Sequence, residues 1–184
     1  MAKPRSSPNP AALPSGARMG VVISMYHEEI GEQMLDSARR ELERQGLELS
    51  NLFEVRAPGA FELPLIARRL AVRDDIHAVL CFGLVLKGET SHDEHIAAAA
   101  ARGILEASLQ TDTPILFGVL TCDTLEQAKE RALPAEQGGR FDKGREVARA
   151  AVIALQSLES ASIIGSPERV TGFFRREASE GQPR

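Results

Sequence analysis

The chain has 184 residues, which is enough for one domain with a substantial core and too short for two. Its net charge of −4 at pH 7 comes from interspersed charges of both signs, which excludes a basic nucleic-acid-binding face. No apolar run approaches the roughly 18 residues of a membrane span, so we expect neither nucleic acid nor a membrane as a partner.

The two ends of the chain differ in composition from its centre. Residues 1–19, MAKPRSSPNPAALPSGARM, are rich in proline and serine and lack the apolar run of a signal peptide. We predict a flexible or partner-docked tail there, a folded domain over residues 20–160, a polar tail over 161–184, and a cytoplasmic protein. Cys81 and Cys122 occur in apolar runs, which favours reduced core thiols over a disulfide.

Strands and helices alternate along the first half of the domain. The β-branched run MGVVISM predicts a strand over 19–25, and apolar residues at helical spacing predict a helix that stops at Gly46. LELSNLFEVR predicts a second strand. APGAFELPLIARRLAVRDD opens with a Pro-Gly turn and continues as a helix, with Pro64 in its first turn, where a missing N–H costs least.

Two almost continuously apolar runs, HAVLCFGLVL and PILFGVLT, predict strands buried on both faces, as parallel sheets require. A helix over 92–111 lies between them. TLEQAKERA predicts a short helix, and GREVARAAVIALQSL a long final one beyond the glycine-rich loop PAEQGGRFDKG. The order β-α-β-α-β-α-β-α-α predicts an α/β fold, an open parallel sheet with helices on both faces.

Ligands of such sheets bind beyond the carboxyl ends of the strands. One of these ends carries the segment KGETSH. Gly88 lets the backbone approach a ligand, and Glu89, Thr90 and Ser91 would present N–H groups at a helix N-terminus, which favours an anion. Alternatively, Thr90 or Ser91 simply caps the helix. Neither a Walker motif nor GxGxxG is present.

His92 follows this segment directly. An imidazole beside a bound phosphate could transfer protons near neutral pH, whereas the simpler interpretation is a solvent-exposed first-turn histidine. His95 could share its helix face, but a zinc site lacks a third ligand, so we predict no metal.

Four further side chains each allow two interpretations. Arg131 could bind a phosphate or favour a helix C-terminus. Tyr26 and Phe117 could stack on a flat heterocycle, although Phe117 also suits a core. Glu62 could cap its helix or accept hydrogen bonds from a polyol.

Three segments, APGAFELPLIARRL, LCFGLVLKGETSHDEHI and PILFGVLTCDTLEQAKERA, closely resemble the signature blocks of the lumazine synthase family. The resemblance covers roughly residues 20–160. It implies a flavodoxin-like, three-layer α/β/α sandwich with a parallel sheet. It also implies a transferase of riboflavin biosynthesis that needs neither metal nor organic cofactor, with active sites between adjacent subunits of a pentamer.

The implied reaction joins 5-amino-6-(D-ribitylamino)uracil to 3,4-dihydroxy-2-butanone 4-phosphate and gives 6,7-dimethyl-8-ribityllumazine, phosphate and water. By resemblance His92 is the catalytic residue. The implied contacts to ribitylaminouracil come from Tyr26, Ala60, Phe61, Glu62, Leu84, Val85, Leu86, Lys143 and, from the neighbouring subunit, Phe117. The implied contacts to the butanone phosphate come from Arg131 and from the main-chain N–H groups of Glu89 and Thr90.

The sequence departs from the family pattern in three places. His27 stands where the family usually has asparagine, and Asp93-Glu94-His95 replaces the usual Phe-Asp-Tyr. The loop PAEQGGRFDKG is longer than in cage-forming members, so we predict a pentamer or decamer rather than a sixty-subunit cage. Riboflavin synthase is a further candidate partner.

Two rival functions fit parts of the pattern. A non-catalytic relative would bind a lumazine or riboflavin without turnover. A generic flavodoxin-like flavin carrier would hold FMN in a site complete within one chain. Retention of Glu62, His92 and Arg131 favours the enzyme over the non-catalytic relative.

Overall fold

The computed structural model describes Leu13 and residues 16–163, except for the side chain of Ile163. Most of the two predicted tails, residues 1–12, 14–15 and 164–184, lies outside the described residues. The strands are β1 (Met19–Ser24), β2 (Leu52–Ala57), β3 (Ala78–Leu86) and β4 (Ile115–Cys122). The helices are α1 (Glu28–Arg44), α2 (Leu63–Ala71), α3 (His92–Thr111), α4 (Leu125–Ala132) and α5 (Lys143–Ile163). Short 3-10 turns occupy Leu49–Asn51, Ala60–Glu62 and Ala135–Gln137.

The predicted alternation of strands and helices is confirmed. The second strand starts later than predicted because Leu49–Asn51 form a 3-10 turn before it. Pro64 lies in the first turn of α2, as expected. Leu13 packs against the domain: its side chain is buried, and its N–H donates to the carbonyl oxygen of Gln45 at 2.9 Å.

All four strands run parallel in the order β2-β1-β3-β4. One apolar cluster joins α1, α4 and α5 to one face of the sheet, and a second joins α2 and α3 to the other. In β1, Val21 and Ile23 point into the first cluster and Val22 into the second. The predicted three-layer α/β fold with a parallel sheet is therefore confirmed.

The prediction that PILFGVLT is buried on both faces is wrong for part of the strand. Leu116 is only partly buried, and Phe117 and Thr121 are exposed. The reason is the position of β4 at the edge of the sheet, where only β3 pairs with it.

The strand order creates a crevice between β1 and β3. The chain leaves β1 toward β2 on one side and returns through β3 on the other, which makes this the topological switch point of the sheet. The β1–β3 pairing ends at Ile23 and Phe82, although β3 continues to Leu86. The last residues of β3 therefore lack a strand partner on the β1 side.

No helix within the described part of the chain is long and apolar enough to cross a membrane.

Candidate active site

A cavity of about 720 Å³ opens at this switch point. Its floor comes from the carboxyl ends of β1 and β3, and its walls from the starts of α2 and α3. The lining residues are Tyr26, His27, Gly59, Ala60, Phe61, Glu62, Leu84, Val85, Leu86, Gly88, Thr90, His92, Asp93, His95 and Ile96.

The structure brings most of the predicted site residues to this one cavity. Those that line it are Tyr26, Ala60, Phe61, Glu62, Leu84, Val85, Leu86, Thr90 and His92. Those that do not line it are Glu89, Phe117, Arg131 and Lys143. Gly59 and Ile96 line it without having been singled out. Two signals in the sequence could have identified them: the Pro-Gly turn after β2 for Gly59, and a spacing of one helical turn from His92 for Ile96.

Tyr26 offers an open aromatic surface at the end of β1. Its side chain is 69% exposed, and its N–H donates to Oγ of the buried Ser24 at 3.2 Å. The ring meets that of His27 edge to face, with 4.9 Å between the ring centroids. The Tyr26 ring therefore keeps a face free for a flat ligand.

His27 occupies the N-cap of α1 with φ 57°, in the left-handed region. Asparagine and histidine are both enriched there among non-glycine residues. The departure at this position therefore preserves the backbone turn that directs Tyr26 to the cavity.

Glu62 stands at the N-cap of α2, yet its side chain makes no capping hydrogen bond. The side chain is half-buried, and no donor among the described residues reaches its carboxylate. A Cβ on Gly59 would lie 3.2 Å from Glu62 Oε2, so the glycine leaves space for the carboxylate. Such an acceptor in a cavity suits a ligand with hydroxyl groups.

The 88–91 loop leads from β3 into α3 and is exposed throughout. Ser91 is the N-cap of α3 but makes no side-chain capping bond, so the simple capping interpretation finds no support at this residue. Within residues 16–163, the N–H groups of Glu89, Thr90 and Ser91 donate to no protein acceptor. With the N-terminus of a 20-residue helix behind them, these groups can bind an anion.

His92 lies in the first turn of α3, exposed and facing the cavity beside Thr90. His95 lines the same wall one turn later. Across the described ranges, no three His, Cys, Asp or Glu side chains are grouped to hold a metal ion. The arrangement places two imidazoles, which can donate and accept protons, on the wall of the cavity.

The remaining predicted residues lie on β4, α4 and α5. The Phe117 side chain is 39% exposed on the edge strand. Arg131 donates from Nη1 to the carbonyl oxygen of Gln127 at 3.1 Å, and its guanidinium carbon lies 5.7 Å from the Phe141 ring centroid. Lys143 Nζ contacts Glu146 Oε1 at 2.7 Å. Within the part of the chain that the structure describes, no lysine or arginine lines the cavity itself.

Cys81 and Cys122 are buried and unpaired, as expected for core thiols. Burial raises the pKa of both thiols, so both stay protonated at neutral pH.

Comparison with known proteins points to one family. Residues 16–159 match the family model described as 6,7-dimethyl-8-ribityllumazine synthase. Proteins with that name include one from Protochlamydia amoebophila, 39% identical over 150 residues, which cover 82% of this chain and 85% of that protein. The protein of Syntrophus aciditrophicus is 46% identical over 120 residues, 65% of this chain and 78% of the relative. The protein of Thermus thermophilus is 39% identical over 155 residues, which cover 84% of this chain and 96% of the relative.

Proposed function

The chain belongs to the 6,7-dimethyl-8-ribityllumazine synthase family, and we propose on this premise that it condenses 5-amino-6-(D-ribitylamino)uracil with 3,4-dihydroxy-2-butanone 4-phosphate. The products are the lumazine, phosphate and water, and the enzyme is a transferase of riboflavin biosynthesis. One observation carries the proposal: a single cavity joins the open ring of Tyr26, the carboxylate of Glu62, the imidazole of His92, and Thr90, whose N–H has no acceptor among the described residues.

Ribitylaminouracil binds between Tyr26 and the end of β3. The pyrimidine ring stacks on Tyr26. Residues 84–86 offer backbone groups to the ring edge on their β1 side, because the pairing with β1 ends at Phe82 and only their other side pairs with β4. The ribityl chain extends toward Ala60, Phe61 and Glu62, where the unpaired carboxylate accepts its hydroxyl groups.

The butanone phosphate binds at the 88–91 loop. Its phosphate oxygens accept hydrogen bonds from the N–H groups of Glu89 and Thr90, which have no protein acceptor. Gly88 has no side chain to hinder this approach. The carbon skeleton then lies beside His92, the next residue after the loop.

His92 transfers protons during the reaction. The amine of the pyrimidine attacks the ketone and water leaves to form an imine, phosphate is eliminated, and the ring closes with loss of a second water. Each step moves a proton at near-neutral pH, which one imidazole can take and return. Holding both substrates in contact supplies much of the remaining rate enhancement.

The site is completed by a second copy of the chain. Phe117, Arg131 and Lys143 lie outside the cavity of their own subunit, and no lysine or arginine of the described ranges lines that cavity to balance a phosphate. From a neighbouring subunit, Phe117 would cover the heterocycle, Arg131 would bind the phosphate, and Lys143 would approach the ribityl or phosphate end.

Self-association has further support from exposed apolar side chains. Leu65 on α2 and Leu105 and Leu109 on α3 are 70%, 60% and 75% exposed. Such side chains on adjoining helices favour an interface with another subunit. We propose a pentamer or a decamer over a sixty-subunit cage, because the 134–144 loop is longer than in cage-forming members. Riboflavin synthase remains a candidate partner that consumes the product.

A cytoplasmic location is also proposed. It rests on the two buried, unpaired thiols, Cys81 and Cys122, which suit a reducing compartment. Cell fractionation followed by immunodetection would test it.

The decisive experiment incubates the purified protein with both substrates and follows the absorbance and fluorescence of the lumazine. We expect product with neither metal nor organic cofactor added. Binding of lumazine or riboflavin without product would favour a non-catalytic relative. Copurification of stoichiometric FMN would favour a flavin carrier instead.

A further inference from the structure

Asp93 is a carboxylate in the cavity to which the proposed reaction assigns no part. It is the second residue of α3 and is half-buried. It lines the cavity together with Gly88, Thr90 and His92. It therefore adds a negative charge to the wall where the phosphate ester is proposed to bind.

The Asp93 carboxylate reaches the 88–91 loop. Asp93 Oδ1 lies 3.5 Å from the backbone nitrogen of Gly88, at the long limit of a hydrogen bond. The next three N–H groups along the chain donate to no acceptor within residues 16–163. The carboxylate thus occupies the first of four consecutive donors and leaves the other three open.

This position makes Asp93 a competitor of the phosphate. Two anions that share one short row of donors repel each other, and the effect is strongest where solvent is partly excluded. Among the described residues, none that lines the cavity is a lysine or arginine that could offset the charge. The contact to Gly88 is long and weak, so an incoming phosphate can displace it.

We propose that Asp93 sets the affinity of the 88–91 loop for phosphate. The inference rests on the proposed function. In the structure the carboxylate makes a weak contact with the Gly88 N–H. When the ester binds, its phosphate takes over the loop donors against the Asp93 charge. The same repulsion weakens the hold on inorganic phosphate after condensation and favours its release.

Glu94 provides a matched control. It is also acidic, and it also lies in the first turn of α3, so either substitution removes one charge from the same helix end. Glu94 is exposed and does not line the cavity. A difference between Asp93→Asn and Glu94→Gln therefore reports on the cavity and the loop and not on the helix dipole.

The test is a calorimetric titration of the full-length parent, Asp93→Asn and Glu94→Gln with inorganic phosphate, at low and high ionic strength. We expect Asp93→Asn to bind phosphate about fivefold more tightly at low salt, because repulsion between neighbouring charges is removed. The gain should shrink at high salt, and Glu94→Gln should match the parent.

Three results would overturn the proposal: unchanged or weaker phosphate binding in Asp93→Asn, an equal gain in Glu94→Gln, or no phosphate binding by any of the three proteins. The lumazine assay on the parent separates this inference from the proposed function. If the parent forms product but Asp93→Asn binds phosphate no more tightly than the parent, only the role given to Asp93 is wrong. If Asp93→Asn binds phosphate more tightly but the parent forms no product, the role given to Asp93 stands and only the proposed reaction is wrong.

Discussion

Individual side chains around the cavity are placed for a ligand and not for stability. Glu62 and Ser91 both occupy N-cap positions, yet neither side chain caps its helix. A capping bond contributes about 1 kcal/mol, so leaving two unmade has a cost that packing elsewhere must offset. Polar groups without protein partners in a concave site are those that bind substrate.

His92 is the residue whose loss should affect chemistry most selectively. Because it is exposed, His92→Ala should leave folding and assembly unchanged and lower kcat about a hundredfold, the usual contribution of a general acid–base. Steady-state kinetics and size-exclusion chromatography would measure the two effects. His95→Ala, one turn later on the same wall, is the control. Turnover of His92→Ala at the parent rate would remove the proton-transfer role while leaving the binding residues in place.

The packing of α5 against α1 positions the loop that precedes Lys143. Glu41 on α1 is buried and accepts hydrogen bonds from Arg44, Gln45 and Arg149 at 2.7–2.9 Å, while Arg145 approaches at 3.4 Å. Two of these arginines belong to α5, so one carboxylate joins the two helices. Burial alone would raise the pKa of Glu41, but these hydrogen bonds outweigh it and lower the pKa from 4.5 to about 2.

Glu41→Gln should therefore destabilise the protein in a pH-dependent way. A lowered pKa in the folded state means that the charge stabilises the fold fully above about pH 5, and that this contribution disappears as the pH falls from about 4.5 toward 2. We expect a loss of about 2 kcal/mol at pH 7, moderated because the arginines are half exposed, and a smaller loss at pH 3.

Urea unfolding at one protein concentration would measure this difference. Glu43→Gln makes the same chemical change at an exposed position of α1 and should have little effect at either pH. Equal pH dependence of the two variants would contradict the role given to Glu41.

Close approach of α5 to α1 also depends on Gly144. A Cβ at this position would lie 1.9 Å from the backbone oxygen of Met34. Although alanine favours helix more than glycine does, Gly144→Ala should lower stability by about 2 kcal/mol, because a backbone segment must move. The melting temperature would show this loss.

Gly88→Ala is the matched control, since its Cβ would meet nothing nearer than 3.9 Å and its φ is not positive. The Gly88→Ala variant should have the melting temperature of the parent but bind phosphate less tightly. If Gly144→Ala also had the melting temperature of the parent, the packing of α5 on α1 would tolerate an added methyl group better than the geometry implies.

In the whole molecule, the predicted site residues fall into two groups on different elements. The group around the cavity lies on or next to β1, α2, β3 and α3, whereas Phe117, Arg131 and Lys143 lie on β4, α4 and α5. A site divided in this way works only when the second group is supplied by another subunit. This is the physical reason to expect that activity requires assembly.

Mixed oligomers test this division. His92→Ala and Arg131→Ala subunits should each form weakly active assemblies. Unfolding and refolding them together should restore about a quarter of parent activity, since half of the cavities keep His92 and half of their neighbours keep Arg131.

Pairing His92→Ala with Glu62→Gln is the control. Both residues line the cavity of their own chain, so no mixed site is complete. Recovery in this control, or none with Arg131→Ala, would show that the site is not shared between subunits.

The sequence was sufficient to predict the order of the elements and most of the cavity residues. Strand burial and helical periodicity are local patterns, and the carboxyl ends of parallel strands must meet at one edge. Tyr26, Glu62 and His92 each lie in the segment that follows such a strand, so the prediction of β-α order alone placed them near one another.

Other features depend on contacts between residues distant in the chain. Nothing local distinguishes β4 as an edge strand, because strand order is decided by the crossovers, and so the apolar run PILFGVLT was wrongly predicted to be buried on both faces. The end of the β1–β3 pairing at Phe82, the contact of Asp93 with Gly88 and the separation of Arg131 from the cavity likewise arise only when the sheet is assembled. Local patterning thus determines which chemical groups reach the ligand edge of the sheet, whereas long-range packing determines which of them face the same cavity.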